Sequence, residues 1–166
     1  MVPTLRTVAM LWNVNDLGMT LRYQGAADAA RTIGVRVQPL GVREPDDAFA
    51  SMVRDPPDAI LMVSDALTRL NRRRVYEFAA EHRLPTTYER ANHVREGGLS
   101  AYSPDLDEIY DRATYLIDRI FKGAKPADLP FEQPTRFHLS INLKTAQALG
   151  ITVPASVIAR ADEVIE

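Results

Sequence analysis

The sequence predicts an α/β fold, a mostly parallel five-stranded sheet with helices on both faces. Three observations carry this. The apolar runs Val8–Trp12 and Ala59–Val63 have no polar interruption, the pattern of strands buried on both sides. Segments with apolar residues every three or four positions alternate with these runs, as expected where helices cross over between parallel strands. Turn formers punctuate the joins, as at Asn13-Val14-Asn15-Asp16, Asp55-Pro56-Pro57-Asp58 and Gly97-Gly98.

Taken in order, Thr7–Trp12 is the first strand, and Asn15 or Asp16 caps a helix starting near Leu17. Leu17, Leu21, Ala29 and Ile33 keep helical spacing along its apolar face, with Gly34 as the stop. Val35 and Val37 alternate with Arg36 and Gln38 in a second strand with a more exposed face. Pro45-Asp46-Asp47 opens a short helix with Phe49, Met52 and Val53 on one side. The Asp55–Asp58 turn, which no helix can cross, leads to the third strand, Ala59–Val63. A helix carrying Val75, Phe78, Ala79 and His82 follows, then a fourth strand at Leu84–Tyr88 and a fifth at Leu99–Ser103. Pro104 is expected in the first turn of the most regular helix, whose apolar positions run from Leu106 to Phe121 and which ends at Gly123. Beyond it lie a proline-bearing linker, Lys125–Pro130, an alternating strand over Arg136–Asn142, and two short helices near Leu143–Leu149 and Ala155–Val164.

Composition excludes several function classes. With 20 Lys plus Arg against 22 Asp plus Glu, the chain lacks the basic surplus that phosphate backbones demand, so no nucleic-acid partner is expected. The absence of Cys removes disulfides, thiolate zinc sites and a cysteine nucleophile. The three His are scattered without ligand spacing, so no metal is expected, and no GxSxG, GxGxxG or Walker motif implies a cofactor or a known catalytic turn. No motif of these enzyme classes is therefore read in the chain. Its longest apolar runs are far too short to span a membrane, and no export signal is read at the start.

Ligands of parallel sheets bind beyond the carboxyl ends of the strands. That rule selects Asn13–Asp16, Ser64–Leu67, Tyr88–Asn92 and Ser100–Pro104. Asn13, Asn15 and Ser64 can donate and accept hydrogen bonds there. Asp65 and Glu89 can pair with a ligand ammonium, and Tyr102 or Tyr88 can pack on an apolar or cationic part. Gly98, with Gly97, can bring backbone N–H groups to an anion. Each has a structural alternative: capping for Asn15, Asp16 and Asp65, a core or rim position for Tyr102, a tight turn for Gly97-Gly98. Arg72-Arg73-Arg74 reads as a solvated helix face, His82 as a helix-end residue, and His93 and His138 as surface residues. A phosphoacceptor receiver domain shares the strand plan and would use Asp65. It also needs an acidic pair after the first strand and a lysine after the fifth, where this chain has Asn13, Asn15 and Ser103-Pro104.

A set of short motifs then recurs in order: Leu11-Trp12-Asn13, Ser64-Asp65, Leu84-Pro85 leading to Tyr88-Glu89, and Gly97-Gly98-Leu99. The tail adds Lys122-Gly123-Ala124-Lys125-Pro126-Ala127-Asp128-Leu129-Pro130, Ile141-Asn142-Leu143-Lys144-Thr145-Ala146 and Ala159-Arg160-Ala161-Asp162-Glu163. Together these resemble the substrate-binding proteins of ABC transporters of the tryptophan/tyrosine type, over the C-terminal half of such a protein. The resemblance implies one lobe of a type I periplasmic binding protein, with a ligand-binding α/β lobe at 5–123. Residues 124–166 would then be a linker, a crossover strand and helices that dock on a first lobe absent from this chain. It further implies a periplasmic location, a small organic solute such as an amino acid held in an interlobe cleft, and an ABC permease as partner. Asn13, Asn15, Ser64, Asp65 and Glu89 match motif positions facing that cleft, with Gly98 and Tyr102 beside them. Val14, Ala66 and Ser103 depart from residues frequent in the family. With no first lobe to pair it, the strand bearing Phe137, Leu139 and Ile141 is expected to drive a homodimer, with exchange of C-terminal segments as one route. The runner-up reading is a cytoplasmic small-molecule sensing or regulatory domain of the same fold.

Overall fold

The computed structural model describes residues 2 and 4–166. Among these, the chain runs through β1 (Thr7–Asn13), α1 (Leu17–Thr32), β2 (Arg36–Val42), α2 (Pro45–Arg54), β3 (Ala59–Met62), α3 (Ala66–Leu70) and α4 (Arg72–Glu81). Then come β4 (Thr86–Tyr88), α5 (Asn92–Arg95), β5 (Ser100–Pro104), α6 (Leu106–Phe121), β6 (Phe137–Asn142), α7 (Leu143–Ala148), α8 (Ala155–Ile158) and β7 (Glu163–Ile165). One sheet forms in the order β2-β1-β3-β4-β5-β6-β7. Its first five strands are parallel, as the strand–helix alternation predicts, and β6 joins β5 antiparallel.

The apolar runs fill the middle of the sheet. Ala9, Leu11, Ile60 and Met62 point to one face, where Ala48 and Met52 of α2 and Val75 and Ala79 of α4 close over them. Phe49 and Phe78 stack on the rim of that layer with ring centroids 4.7 Å apart. Met10, Trp12 and Val63 point to the other face, where α1 covers them. Helices on both faces are thus dictated by strands that are apolar on both.

The face that α1 uses differs from the expected one. Leu17, Leu21 and Ile33 are exposed. Met19, Tyr23 and Ala26 carry the contact instead. Trp12 decides this, because its indole stacks on Tyr23 at 4.5 Å and its Nε1–H donates to Thr20 Oγ1 at 3.2 Å. Periodicity had found an apolar stripe, but the large ring beneath the helix selects its own partners.

Three further corrections concern the second half of the chain. First, the strand at Phe137–Asn142 has a sheet. Its register with β5 runs from Ser100 opposite Ile141 to Pro104 opposite Phe137, and Ile141 is fully buried. The premise of an unpaired strand driving exchange between chains therefore fails. Second, Glu163–Ile165 is a strand paired with β6, not the end of a helix from Ala155. Asp162 ties this register by accepting from Leu139 N–H at 2.8 Å. Third, Pro104 ends β5, and Asp105 is the cap of α6, accepting from the N–H groups of Asp107 and Glu108 at 3.0 and 3.3 Å.

Helix α6 has the strongest apolar stripe in the chain and buries none of its residues. Polar ties hold its first turns instead. The Glu108 carboxylate accepts from Thr135 Oγ1 and from Arg136 N–H at 2.9 Å, and Arg112 pairs with Glu132. Tyr110, Ile117 and Phe121 stand in solvent. No helix among the described residues is long and apolar enough to cross a membrane.

Candidate ligand-binding groove

A broad groove of ≈ 1430 Å³ opens over the carboxyl ends of β3, β4 and β5. Ser64 comes from the end of β3, Glu89 to His93 from the end of β4, and Tyr102 to Asp105 from β5. Arg22 of α1, Arg69 of α3, Arg72 of α4 and the first residues of β6 complete the walls. The groove lies over three of the four strand ends that the rule selects, Asn13–Asp16 falling outside its lining, and the expected residues divide into three groups.

Ser64, Glu89 and Tyr102 line the groove. Glu89 spans it at the base: its carboxylate receives the Arg22 guanidinium at 2.9 and 3.1 Å and Ser64 N–H at 2.9 Å. The Ser64 hydroxyl is buried and makes no hydrogen bond among the described residues. Tyr102 is 60% exposed and stacks on Phe137 at 5.3 Å, forming an aromatic rim where β5 meets β6.

Asn13, Asn15 and Asp65 do not line the groove; the Asn13 and Asp65 side chains bond to the backbone, and Asn15 is exposed. Asp65 is a capping residue: one carboxylate oxygen accepts from Thr68 N–H at 2.9 Å and the other from Asn13 N–H at 2.7 Å. Thr68 returns the bond by accepting from Asp65 N–H at 3.0 Å, which completes a capping box. Asn13 accepts from Asn15 N–H at 3.0 Å through its side chain, a local turn after β1. Asp16 caps α1, accepting from Met19 N–H at 3.2 Å. The Asp65 carboxylate is therefore not free to meet an ammonium ion.

Gly98 serves packing. A Cβ at this position would lie 2.3 Å from the Tyr88 ring and 2.9 Å from the His93 carbonyl oxygen. Gly98 N–H donates to that carbonyl at 2.8 Å, so its donor is spent as well. Glycine here lets the Tyr88 ring lie against the chain, and the tight-turn alternative is the one realised.

His93 is the residue that sequence reasoning misplaced. It is 1% exposed, stacked on Tyr88 at 5.0 Å, with Nδ1 2.5 Å from the Tyr76 hydroxyl. Its Nε2 has no partner among the described residues, and neither has the Tyr88 hydroxyl. Burial holds the His93 pKa below its ordinary value and pushes the phenols of Tyr76 and Tyr88 up, so all three are neutral near pH 7. Arg72 approaches the same cluster and pairs with Glu96 at 2.7 Å, which lowers the Glu96 pKa. The short helix α5 that buries His93 carried no signal in the sequence beyond Val94, because four residues are too few for a periodic pattern.

The family model for ABC transporter substrate-binding proteins matches residues 1–165. The chain belongs to that family. A solved structure described as the ABC domain in complex with L-Trp from Streptococcus pneumonia is similar to this family member, with 25% identity and a TM-score of 0.88 over 99% of this chain and 57% of that one. A conserved domain protein from Vibrio cholerae shares the fold at 19% identity and a TM-score of 0.87, covering 98% of this chain and 56% of that one. The ligand-free, open form of a substrate-binding protein with adhesive properties from Clostridium difficile shares it at 17% identity and a TM-score of 0.76, covering 99% and 56%. This substrate-binding family member thus spans a little over half the length of each solved chain. No curated protein sequence matches it significantly. The family is one of substrate-binding proteins, which agrees with a groove of hydrogen-bonding and charged side chains at the ends of parallel strands.

Proposed function

We propose that this chain is the solute-holding part of an ABC-type uptake system and that it takes a small organic solute, such as an amino acid, into the groove over β3, β4 and β5. The observation that carries the reading is the placement of the unpartnered Ser64 hydroxyl, Glu89 and the Tyr102–Phe137 rim together at the carboxyl ends of the strands. Family membership and the L-Trp complex of the Streptococcus pneumonia relative support it.

In this reading the groove is one wall of a cleft, and a second lobe closes over the solute. Closure is a shift of population toward the form that binds the solute better, and the closed form is what an ABC permease accepts. The open groove encloses little of a ligand, whereas tight small-molecule sites bury most of the ligand surface. The chain alone therefore binds weakly. The exposed apolar stripe of α6 is the surface on which we seat the second lobe, and a periplasmic location follows from the same reading.

The test is a two-dimensional NMR titration of the ¹⁵N-labelled chain with a panel of amino acids and organic acids that includes L-tryptophan. Weak saturable binding with shifts centred on Ser64, Glu89 and Tyr102 supports the reading. Shifts centred elsewhere, or no saturable shift with any solute, would overturn it. Submicromolar affinity would contradict the half-cleft geometry.

A further inference from the structure

The groove's polar groups are unequally committed, and the imbalance bears on which solutes fit. Nearly every lining carboxylate already has partners within the chain. Glu89 holds Arg22 and Ser64 N–H, Glu96 holds Arg72, and Glu163 holds Arg95 at 2.7 Å. Asp105 caps α6 and lies 3.4 Å from Arg136, and Asp162 accepts from Leu139 N–H. Only Asp107, in the first turn of α6, has neither an ion pair nor a side-chain hydrogen bond among the described residues.

The donors are in the opposite state. Arg69 and Arg90 line the groove, are exposed, and make no ion pair among the described residues. Beside them are two buried groups without partners, the Ser64 hydroxyl and His93 Nε2. The Tyr76 hydroxyl lies 2.5 Å from His93 Nδ1 and donates to Glu96 Oε2 at 3.4 Å. Arg69, Arg72 and Arg90 line the same groove as Ser64 and His93. Two free guanidiniums and a hydroxyl make a set of donors that lacks an acceptor. Guanidinium forks match a carboxylate in geometry as well as charge.

We propose that the groove floor beside Ser64 is a carboxylate subsite in which Arg69 and Arg90 determine specificity, so that the solute is an organic acid recognised through its carboxylate and not through an ammonium group. This deepens the solute-binding reading and rests on it. It also sets this chain's requirement apart from that of a zwitterion held by charges of both signs.

Three aromatic probes separate the charges: indole-3-propionate carries a carboxylate only, tryptamine an ammonium only, and L-tryptophan both. NMR titration of the labelled full chain reads all three, even at weak affinity. We expect indole-3-propionate to bind at least as tightly as L-tryptophan, and tryptamine to bind at least about tenfold more weakly than either. Arg69→Gln and Arg90→Gln should each weaken indole-3-propionate by about tenfold, the worth of a charge-assisted hydrogen bond, and Arg90→Lys should restore part of the loss. Arg73→Gln, an exposed arginine off the groove, should leave it unchanged. The same spectra show that each variant is folded. Tryptamine binding as well as L-tryptophan, or a larger loss from Asp107→Asn than from Arg90→Gln, overturns the subsite while leaving solute binding intact. A chain that binds none of the three overturns the solute reading and the subsite together.

Discussion

The two ends of the parallel sheet leave their buried polar groups unequally satisfied. At the amino end, Asp58 closes the account within the chain. One of its carboxylate oxygens accepts from the N–H groups of Arg6 and Thr7, both at 2.8 Å, and stitches the start of β1 to the start of β3. At the carboxyl end, Asp65 makes the equivalent stitch between β1 and the α3 cap. Past the ends of β3 and β4 the buried Ser64 hydroxyl, His93 Nε2 and Tyr88 hydroxyl are unpaired, against a single such atom, Gln38 Oε1, toward the amino end. Leaving a buried donor without a partner costs about 1–3 kcal/mol, so a fold that does so repeatedly at one end gives up stability there. Strand geometry alone explains neither pattern, because both ends present the same backbone. The difference lies in side chains, and it teaches that the amino end is built to hold the sheet together and the carboxyl end to meet something outside it.

The most damaging way to break this contrast is to remove Asp65, whose two carboxylate oxygens both accept from backbone N–H groups. Asp65→Ala strips the cap from α3 and leaves Thr68 N–H and Asn13 N–H without acceptors. A lost cap costs about 1 kcal/mol and each abandoned buried donor at least as much again, so a loss of about 3 kcal/mol is expected. Urea unfolding of the variant beside the parent measures it. A loss below about 1 kcal/mol would mean that Asp65 is not the structural acid of this end and would return it to the list of ligand contacts.

Asp58→Asn should have a smaller effect, and one that depends on pH. The backbone N–H groups of Arg6 and Thr7 hold the Asp58 pKa below its ordinary value. With the folded pKa depressed, the carboxylate adds stability above the unfolded value near 3.9, and that contribution is lost as pH falls toward the folded pKa. The parent should therefore lose stability on acidification below about pH 5 more steeply than Asp58→Asn. At pH 7 the variant should be weaker by about 1 kcal/mol, the scale of a hydrogen bond in a partly solvated place. Thermal melts between pH 3 and 7 read both effects, and parallel acid limbs would show that the stitch does not depend on the charge.

How much of this was legible follows from the same division. The five parallel strands were readable because a strand buried on both faces needs an unbroken apolar run, and Val8–Trp12 and Ala59–Val63 supply it. Strand β7 was not, since Glu163, Val164 and Ile165 look no different from a helix end until Asp162 and Ser140 fix their register. The stripes of α1 and α6 were visible, but periodicity states that a face is apolar and not what covers it. At the groove, Ser64, Glu89 and Tyr102 came from the strand-end rule. Arg69, Arg90 and His93 did not, because whether a charge is already paired or a ring buried is a tertiary fact. Gly98 and Asp65 were drawn in for the chemistry they could offer, which the fold spends on Tyr88 and on the α3 cap.

The smallest expected effect sharpens the contrast most. The Ser64 hydroxyl is buried and unpaired, so Ser64→Ala removes a desolvated polar group without breaking any bond in the chain. Its backbone N–H, which donates to Glu89 at 2.9 Å, is untouched. Deleting a buried group that has no partner is neutral or slightly stabilising, and the change should fall between zero and about +0.5 kcal/mol in urea unfolding. If the hydroxyl is held open for a solute, the same variant should bind the organic acids of the NMR panel several-fold more weakly, because a hydrogen bond to a charged acceptor is lost. A residue that costs stability in the free chain and adds affinity in the complex belongs to the site. A Ser64→Ala variant that is clearly destabilised and binds as before would instead place Ser64 with Asp58 and Asp65 among the groups that hold the sheet.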